Sequence, residues 1–519
     1  MAGWLERAGL TVALAAMLAQ PALGAAGGKA GDPARGGAIT YAAAGGPGAL
    51  DPHVAGSLVA LEVIHHVFET LVAMDESYNA RPMLAATVQV GDAARRFRFT
   101  LRPGLRFSTG ATLTSADVLA SFERYARVST NVALLEDVVG YDVPDARTFV
   151  VRLASSNAMF LDMLKSPTYP LAIVPADQQE RPGREVDVVG TGPFMLESWD
   201  KDSHLVLRRN PDYVADRSAA GPDGLAGRKT AYLDTVRYDF VAEPAARLAA
   251  LQGGTADAVA NLPPDFASRL GGRDDLATLR VFPYCQLLFV THAGNGLTAQ
   301  RLIRQAIQAA VNVDDIIAAS GQPARRNASL VYPGSPYHTG DGAEAFYDRR
   351  NLDEARALLR QAGYKGEKLI LQTNATYSYM RDAILVLAGQ LREAGMNTEV
   401  QVVDWLTNLT SLRRGTGNWN VTSAGFCTQP LMGPQQWRAQ IYADPHIRDL
   451  AGLDDAYRRL LASPEFAPRQ AAWRRIETLV LGEAYFIKVA DLGAVRAYNT
   501  RLHGMAPYFF QRFWNTWVN

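Results

Sequence analysis

One segment of the chain limits its fold more than any other, because strand and helix patterns alternate there within a short span. Residues 368–372 have the pattern of a strand, residues 380–394 that of a helix, and residues 398–403 that of a second strand. A strand–helix–strand unit of this length places its two strands parallel in one sheet. The chain is therefore predicted to be an α/β protein.

Polar and aromatic residues follow both of these strands. Asn374, Tyr377 and Tyr379 come after the first strand, and Asp404 and Trp405 come directly after the second. In open α/β sheets, ligands bind in the crevice beyond the carboxyl ends of the strands. We therefore expect Tyr377 and Trp405 to lie at a ligand site.

The length and charge of the chain set further limits. A single hydrophobic core stops growing at about 250–300 residues, so 519 residues predict two or more lobes. The 52 basic residues are balanced by 52 acidic residues. A nucleic-acid-binding protein would carry a basic face, so this class of partner is excluded.

The N-terminus has the features of a secretory signal peptide. Arg7 precedes an apolar run over residues 8–19, and small residues follow at Ala22 and Gly24. These features predict a signal peptide over residues 1–24 and a mature chain that begins near Ala25. No cysteine directly follows the cleavage site, so no lipid anchor is expected. An N-terminal core helix is the alternative interpretation.

Motifs of catalysis and metal binding do not occur in the chain. It contains no G-x-S-x-G, H-E-x-x-H, Walker A or C-x-x-C motif. His65 and His66 are adjacent, and neighbouring positions of a helix point about 100° apart, which does not suit a shared metal ion. No enzymatic activity, no cofactor and no metal site are therefore expected. A catalytic triad assembles from distant residues, so a secreted hydrolase stays open as an alternative.

The sequence RFRFTLRPGLRFSTG at residues 96–110, continued at residues 113–118, resembles the signature of extracytoplasmic solute-binding protein family 5. This family contains the peptide-, nickel- and glutathione-binding components of ABC importers. The similarity extends in the same order over most of the chain, through residues 50–53, 69–71, 190–194, 209–213, 245–254, 304–307 and 355–359.

The resemblance implies a hinged, two-lobed periplasmic-binding-protein fold of the type II kind, with an extra α+β domain inserted in the first lobe. The implied boundaries are, for lobe I, residues 36–60, 186–283 and 491–519; for the extra domain, residues 61–185; and for lobe II, residues 284–490.

The resemblance also implies which residues line the cleft between the lobes. It assigns ligand contact to Trp405 and places the segment Gly425, Phe426, Cys427 and Thr428 along the cleft, where Tyr284 and Phe426 could stack on a flat ligand. Peptide-binding members carry an aspartate in this segment for the ligand's α-amino group, and the present chain has none there. Free peptides are therefore less favoured as ligands. Two cysteines can pair in an oxidising compartment, and the resemblance implies a disulfide between Cys285 and Cys427.

Taken together, these features predict a periplasmic, monomeric solute-binding protein. Its partners would be a small peptide-like or other polar or aromatic molecule and the membrane permease subunits of an ABC importer. A periplasmic chaperone or a sensor partner on the same scaffold is a further alternative, which a broad exposed apolar groove would favour.

Overall fold

The computed structural model describes residues 33–443, 447 and 449–519. The signal peptide predicted over residues 1–24 lies outside these residues. Within the described part of the chain, no helix is long and apolar enough to cross a membrane.

The first third of the described chain mixes short strands with three helices. In order, its elements are β1 (Ala38–Ala43), α1 (Leu58–Val67), β2 (Val72–Met74), β3 (Ala80–Pro82), β4 (Ala85–Gly91), β5 (Arg96–Leu101), α2 (Ser115–Val128), β6 (Val138–Asp145), β7 (Thr148–Leu153) and α3 (Phe160–Leu164).

The next segment is mostly strand and ends in the longest strand of the described residues. Its elements are β8 (Phe194–Asp200), β9 (His204–Arg209), β10 (Pro222–Asp223), β11 (Ala226–Gly227), β12 (Thr235–Phe240), α4 (Pro244–Gln252), β13 (Ala258–Leu262), α5 (Pro264–Ser268) and β14 (Leu276–Thr291).

The remainder is rich in helices and returns to strands at the end. Its elements are α6 (Gly296–Ala299), α7 (Arg301–Ala310), α8 (Val313–Ser320), β15 (Ala324–Arg325), α9 (Leu352–Gln361), β16 (Lys368–Asn374), α10 (Ser378–Glu393), β17 (Asn397–Val403), α11 (Trp405–Arg414), β18 (Val421–Phe426), α12 (Gln429–Met432), α13 (Pro434–Ala443), α14 (Leu453–Ala462), α15 (Phe466–Gly482), β19 (Phe486–Asn499), β20 (Leu502–His503) and β21 (Trp517–Val518).

Eleven of the described strands form one mixed sheet. Ten of them follow the order β17-β16-β18-β14-β19-β13-β1-β12-β9-β8, and β15 pairs with β19 beside this path. One half contains β16 parallel to both β17 and β18, and the other contains β1 parallel to both β12 and β13. The predicted α/β class is thus confirmed, with two parallel units in one sheet.

Two long antiparallel strands join these halves. β14 pairs with β19 from Leu276 opposite Asn499 to Val290 opposite Phe486. The register shifts between Val281 and Cys285, which interrupts regular pairing near the middle of the ribbon. Both strands therefore cross from one half of the sheet to the other, and the irregular stretch lies where the halves meet.

A second, antiparallel sheet forms a layer of its own with the order β4-β5-β7-β6. Phe97 and Phe99 of β5 pack with Val118 and Phe122 of α2 in a separate buried cluster. A capping box begins α2, because the Asp117 carboxylate accepts a hydrogen bond from the Thr114 N–H at 2.8 Å. This compact α+β layer is the part of the structure that corresponds to the expected extra domain, whose exact boundaries stay a prediction.

The strand–helix–strand unit predicted between residues 368 and 403 is present. β16, α10 and β17 follow one another, and Lys368 lies opposite Asn397 in parallel register through to Asn374 opposite Val403. Gly395 follows α10 with φ of 95°, a conformation that only glycine adopts without strain. The carboxyl ends of both strands consequently lie at one edge of the sheet.

Glu477 on α15 is a carboxyl group buried in the half of the sheet that contains β16. Its Oε1 accepts a hydrogen bond from the Ser329 hydroxyl at 2.7 Å and another from the Leu330 N–H at 2.8 Å. Burial raises the pKa of Glu477 to about 7. The carboxyl group therefore titrates near neutral pH in the folded protein.

Replacing Glu477 with glutamine is expected to make the free energy of unfolding less dependent on pH between 4.5 and 7. Because the folded pKa of about 7 exceeds the ordinary value of 4.5, the contribution of this group is complete below pH 4.5 and is lost as pH rises through 7. A shift of this size corresponds to about 3 kcal/mol. Urea unfolding at both ends of this range measures the difference, with Glu393→Gln at the exposed end of α10 as a control. An equal pH dependence in wild type and Glu477→Gln would contradict the assignment.

Candidate functional site

The carboxyl edge of β16 and β17 is shaped by two side chains that fix the loops there. The Asn374 Oδ1 accepts a hydrogen bond from the Tyr377 N–H at 2.8 Å and so sets the turn after β16. Asp404 caps α11 by accepting from the Thr407 N–H at 2.9 Å. Trp405 is the first residue of that helix. The turn and the cap thus hold Tyr377 and Trp405 at the same edge of the sheet.

Trp405 and Tyr377 form an aromatic pair at this edge. Their ring centroids lie 4.8 Å apart at an interplanar angle of 80°, the edge-to-face arrangement that aromatic rings prefer. Tyr379 extends the group, with its ring 6.0 Å from that of Tyr377. Tyr377 is 38% exposed and Trp405 is half-buried. The pair therefore retains apolar ring surface that a solute can cover.

Tyr284 brings a further ring from the irregular stretch of β14. It stacks on Phe509 with centroids 5.1 Å apart and planes 25° apart. The pKa of the Tyr284 hydroxyl is raised, chiefly by burial, and Glu62 and Tyr377 add to the rise. Tyr284 packs against the buried clusters of both halves of the sheet. It thus lies where the two halves meet.

The segment after the middle of β18 passes beside these rings. A Cβ atom at Gly425 would lie 2.7 Å from the Tyr379 hydroxyl and 2.6 Å from the Met380 methyl, so glycine lets Tyr379 lie against the strand. The Tyr332 hydroxyl donates a hydrogen bond to the Cys427 carbonyl at 3.3 Å. Thr428 follows and is half-buried. Gly425, Cys427 and Thr428 are consequently close to the aromatic group.

A disulfide ties this segment to the crossing ribbon. Cys285 of β14 is bonded to Cys427, with Cα atoms 3.9 Å apart. The bond extends the antiparallel pairing of Gln286 opposite Phe426 by one position. The disulfide that the family resemblance implied is therefore confirmed.

Charged groups around this region are paired among themselves. Lys488 Nζ lies 2.9 Å from the Asp491 carboxylate, and both side chains are almost fully buried. The second oxygen of Asp491 accepts from the Asn327 side chain at 2.8 Å. Arg496 donates to the carbonyls of Tyr508 at 3.0 Å and of Phe509 at 2.6 Å, which fixes the backbone beneath the Phe509 ring. These charges hold the walls together and are already satisfied.

The family model described as bacterial extracellular solute-binding proteins, family 5 middle, matches residues 79–440. The chain belongs to this family. As a family 5 protein it is a solute-binding protein and not an enzyme, so the hydrolase alternative is set aside.

Relatives with known names include the probable peptide ABC transporter periplasmic-binding protein y4tO of Sinorhizobium fredii. It is 26% identical over 485 residues, which cover 86% of this chain and 87% of the relative. The glutathione-binding protein GsiB of Shigella dysenteriae is 22% identical over 474 residues, covering 88% of this chain and 89% of the relative.

Solved structures share the fold of this family 5 protein. NikA from Brucella suis, in complex with Fe(III)-EDTA, aligns with a TM-score of 0.79 at 19% identity and covers 93% of this chain and 100% of its own. AgaA from Agrobacterium tumefaciens, in complex with agropinic acid, aligns with a TM-score of 0.73 at 22% identity, covering 93% and 99%. The predicted two-lobed periplasmic-binding-protein fold is thereby confirmed.

Phe426 is buried in this family 5 protein. It is only 5% exposed and packs on Trp437, with ring centroids 5.1 Å apart, and on Phe486 at 6.2 Å. Because side chains alternate along a strand, Gly425 and Cys427 point to the face that carries Tyr379, and Phe426 points to the opposite face. Phe426 therefore packs in the buried cluster with Trp437, and its contact with the ligand stays a prediction.

Tyr332 and Phe509 were not singled out in the sequence, yet the family 5 fold brings both to the aromatic group. Tyr332 is fully buried beneath Cys427, and Phe509 supports Tyr284. Both residues lie in irregular segments outside the strands, where no periodic pattern marks them. The run of three aromatic residues Tyr508-Phe509-Phe510 is the one sequence feature that could have drawn attention to Phe509.

Proposed function

We propose that this family 5 protein is the periplasmic binding component of an ABC importer. The proposal includes a signal peptide over residues 1–24, release without a lipid anchor and a monomeric binding protein. It rests on the family, whose members are extracellular, and on relatives whose names include ABC transporter components. The permease subunits are then the partners that receive the solute.

The solute is proposed to bind where the two halves of the sheet meet, between the Tyr377–Trp405 pair and the Tyr284–Phe509 stack. The observation that carries this is the edge-to-face pair at the carboxyl ends of two parallel strands, the position at which α/β folds bind ligands. Partly exposed rings there offer wide contact area with little side-chain entropy to lose. The lobe boundaries inferred from the sequence fit this placement and remain part of the proposal.

The chemistry of the walls favours a small solute with a flat or apolar body and neutral polar groups. The neutral donors and acceptors nearby are the Gly425 and Cys427 backbone and the Thr428 hydroxyl. The buried charges Lys488 and Asp491 are paired with each other. An ammonium group taken out of water needs an opposite charge, so a free peptide amino terminus suits this site less well than an amide, a hydroxyl or a capped peptide.

Replacing Trp405 with alanine is expected to weaken solute binding by about 1–3 kcal/mol, or roughly 5–150-fold. The ring is only half-buried in the solute-free protein, so the melting temperature of that form should change little. The solute is first identified by native mass spectrometry of protein purified from its own cells. Its affinity for wild type and Trp405→Ala is then measured by titration calorimetry.

Trp199→Ala provides the matched control. Trp199 is also half-buried, but it lies on β8, the strand at the opposite end of the sheet from β17. The control variant should bind the solute with wild-type affinity. An unchanged affinity in Trp405→Ala together with a large loss of melting temperature would show that Trp405 serves packing and that the solute binds elsewhere.

A further inference from the structure

A cavity lies apart from the aromatic group, between the segment over residues 211–231 and the strands β3 and β4. Its volume is about 1460 Å³. Seven basic side chains and two carboxylates of the described residues line it. Three of the basic side chains pair with carboxylates outside the lining: Arg81 with Asp75, Arg209 with Asp234 and Lys229 with Glu69. The other four, which are Arg35, Arg102, Arg217 and Arg228, exceed the two lining carboxylates by two.

Arg102 is the buried cation of this cavity. Only 9% of the residue is exposed. Its Nε donates to the Met83 carbonyl at 2.7 Å and its Nη1 donates to the Val214 carbonyl at 2.9 Å. Its Nη2 is buried without a hydrogen-bond partner among the described residues. The guanidinium is therefore held in place by two neutral acceptors, and its Nη2 forms no hydrogen bond with a described residue.

Lys229 is a second buried cation on the same wall, and it has a single carboxylate nearby. Its Nζ lies 3.5 Å from the Glu69 carboxylate, which also accepts from the Tyr213 hydroxyl at 3.2 Å and the Thr191 hydroxyl at 3.1 Å. Glu69 is thus shared among several donors. Arg102 and Lys229 together leave a surplus of buried positive charge beside the cavity.

The two carboxylates of the lining are engaged by local groups. Asp216 accepts from the Ser218 N–H at 2.9 Å and the Ser218 hydroxyl at 2.6 Å. Asp223 accepts from the Glu76 N–H at 3.0 Å. Arg35 and Arg217 lie exposed at the rim and form no ion pair with any other described residue. The rim therefore adds positive charge that the lining does not neutralise.

We propose that this cavity binds a small polyvalent oxyanion, a molecule with phosphate or carboxylate groups, at a site separate from the solute cleft. A buried cation without an ion pair is costly, and an anion in the cavity beside the Arg102 guanidinium compensates it. Arginine is suited to this because its planar fork matches the geometry of both phosphate and carboxylate. Arg35 and Arg217 then close the outer side of the bound anion.

Titration calorimetry of the mature chain at low salt tests the proposal with two probes, pyrophosphate and citrate. At least one probe should bind, with an affinity that falls as salt concentration rises. Pyrophosphate alone indicates a phosphate ligand, and citrate alone indicates a carboxylate ligand. Absence of binding by both probes would overturn the proposal.

Arg35→Gln combined with Arg217→Gln locates the site without disturbing the buried arginine. Losing charge-assisted hydrogen bonds should weaken probe binding by about ten-fold or more. Arg392→Gln combined with Arg414→Gln removes the same charge from exposed positions on α10 and α11 and should leave the affinity unchanged. Trp405→Ala should also leave it unchanged. Equal losses of probe affinity in the Arg35/Arg217 variant and in the Arg392/Arg414 variant would show nonspecific electrostatic attraction and overturn the proposed site.

Discussion

Replacing Arg124 with methionine is expected to lower the free energy of unfolding by about 3–5 kcal/mol. The Arg124 side chain is fully buried, and its two terminal nitrogens donate to the Asp51 carboxylate at 3.0 and 2.6 Å. The same guanidinium donates to the His53 Nδ1 at 3.0 Å and to the Pro182 carbonyl at 2.9 Å. Methionine fills part of the space but leaves Asp51 buried without its cation.

Urea unfolding of the wild type and the variant measures this loss. Arg459→Met is the matched control, because Arg459 is 73% exposed and its partner Asp455 is also in solvent. An exposed pair should contribute no more than about 1 kcal/mol. Combining Arg124→Met with Asp51→Leu should recover part of the loss, since both charges are then removed. Equal stability in Arg124→Met and Arg459→Met would contradict the importance assigned to the buried pair.

Removing the disulfide with Cys285→Ser and Cys427→Ser is expected to lower the free energy of unfolding by up to about 5 kcal/mol. The bond links positions 142 residues apart, and in the chain-entropy model a loop of this length restricts the unfolded chain by about that amount. The two serines also leave one hydroxyl at a buried position, 285, and one at a half-buried position, 427. The loss in the free energy of unfolding should therefore be large.

Thermal and urea unfolding with and without reductant separate the link from the substitutions. Reduced wild type should unfold as easily as the double serine variant, and the variant should not respond to reductant. Each single serine variant serves as a control, because it also lacks the bond. A wild type whose stability stays unchanged after both thiols become titratable would show that the bond contributes nothing.

The general fold could be predicted from local sequence patterns. The strand–helix–strand order of β16, α10 and β17 depends on neighbouring residues and is confirmed. The cap at Thr114 and the glycine after α10 are local features of the same kind. The disulfide followed from the family resemblance, because two cysteines 142 residues apart carry no local signal of their distance in space. The pairing of β14 with β18 brings the two cysteines together.

Single side chains of the site were predicted less well, because they depend on which face of a strand they occupy. Phe426 was assigned to the ligand, although the alternation around Gly425 and Cys427 turns it into the core. Tyr332 and Phe509 come from segments far apart in the chain. Their meeting is decided by tertiary packing, which a single sequence does not display.

The position of β19 has a consequence for the order of events during synthesis. This strand lies between β13 and β14 near the middle of the main sheet, yet it comes from residues 486–499 of 519. When the ribosome has made the first 485 residues, the sheet still lacks β19, one of the two strands that join its halves and the one that pairs with both β13 and β14. Long-range pairing of this kind is slow. The main sheet can therefore be completed only after β19 has been synthesised, and its central pairing is expected to be the last to form.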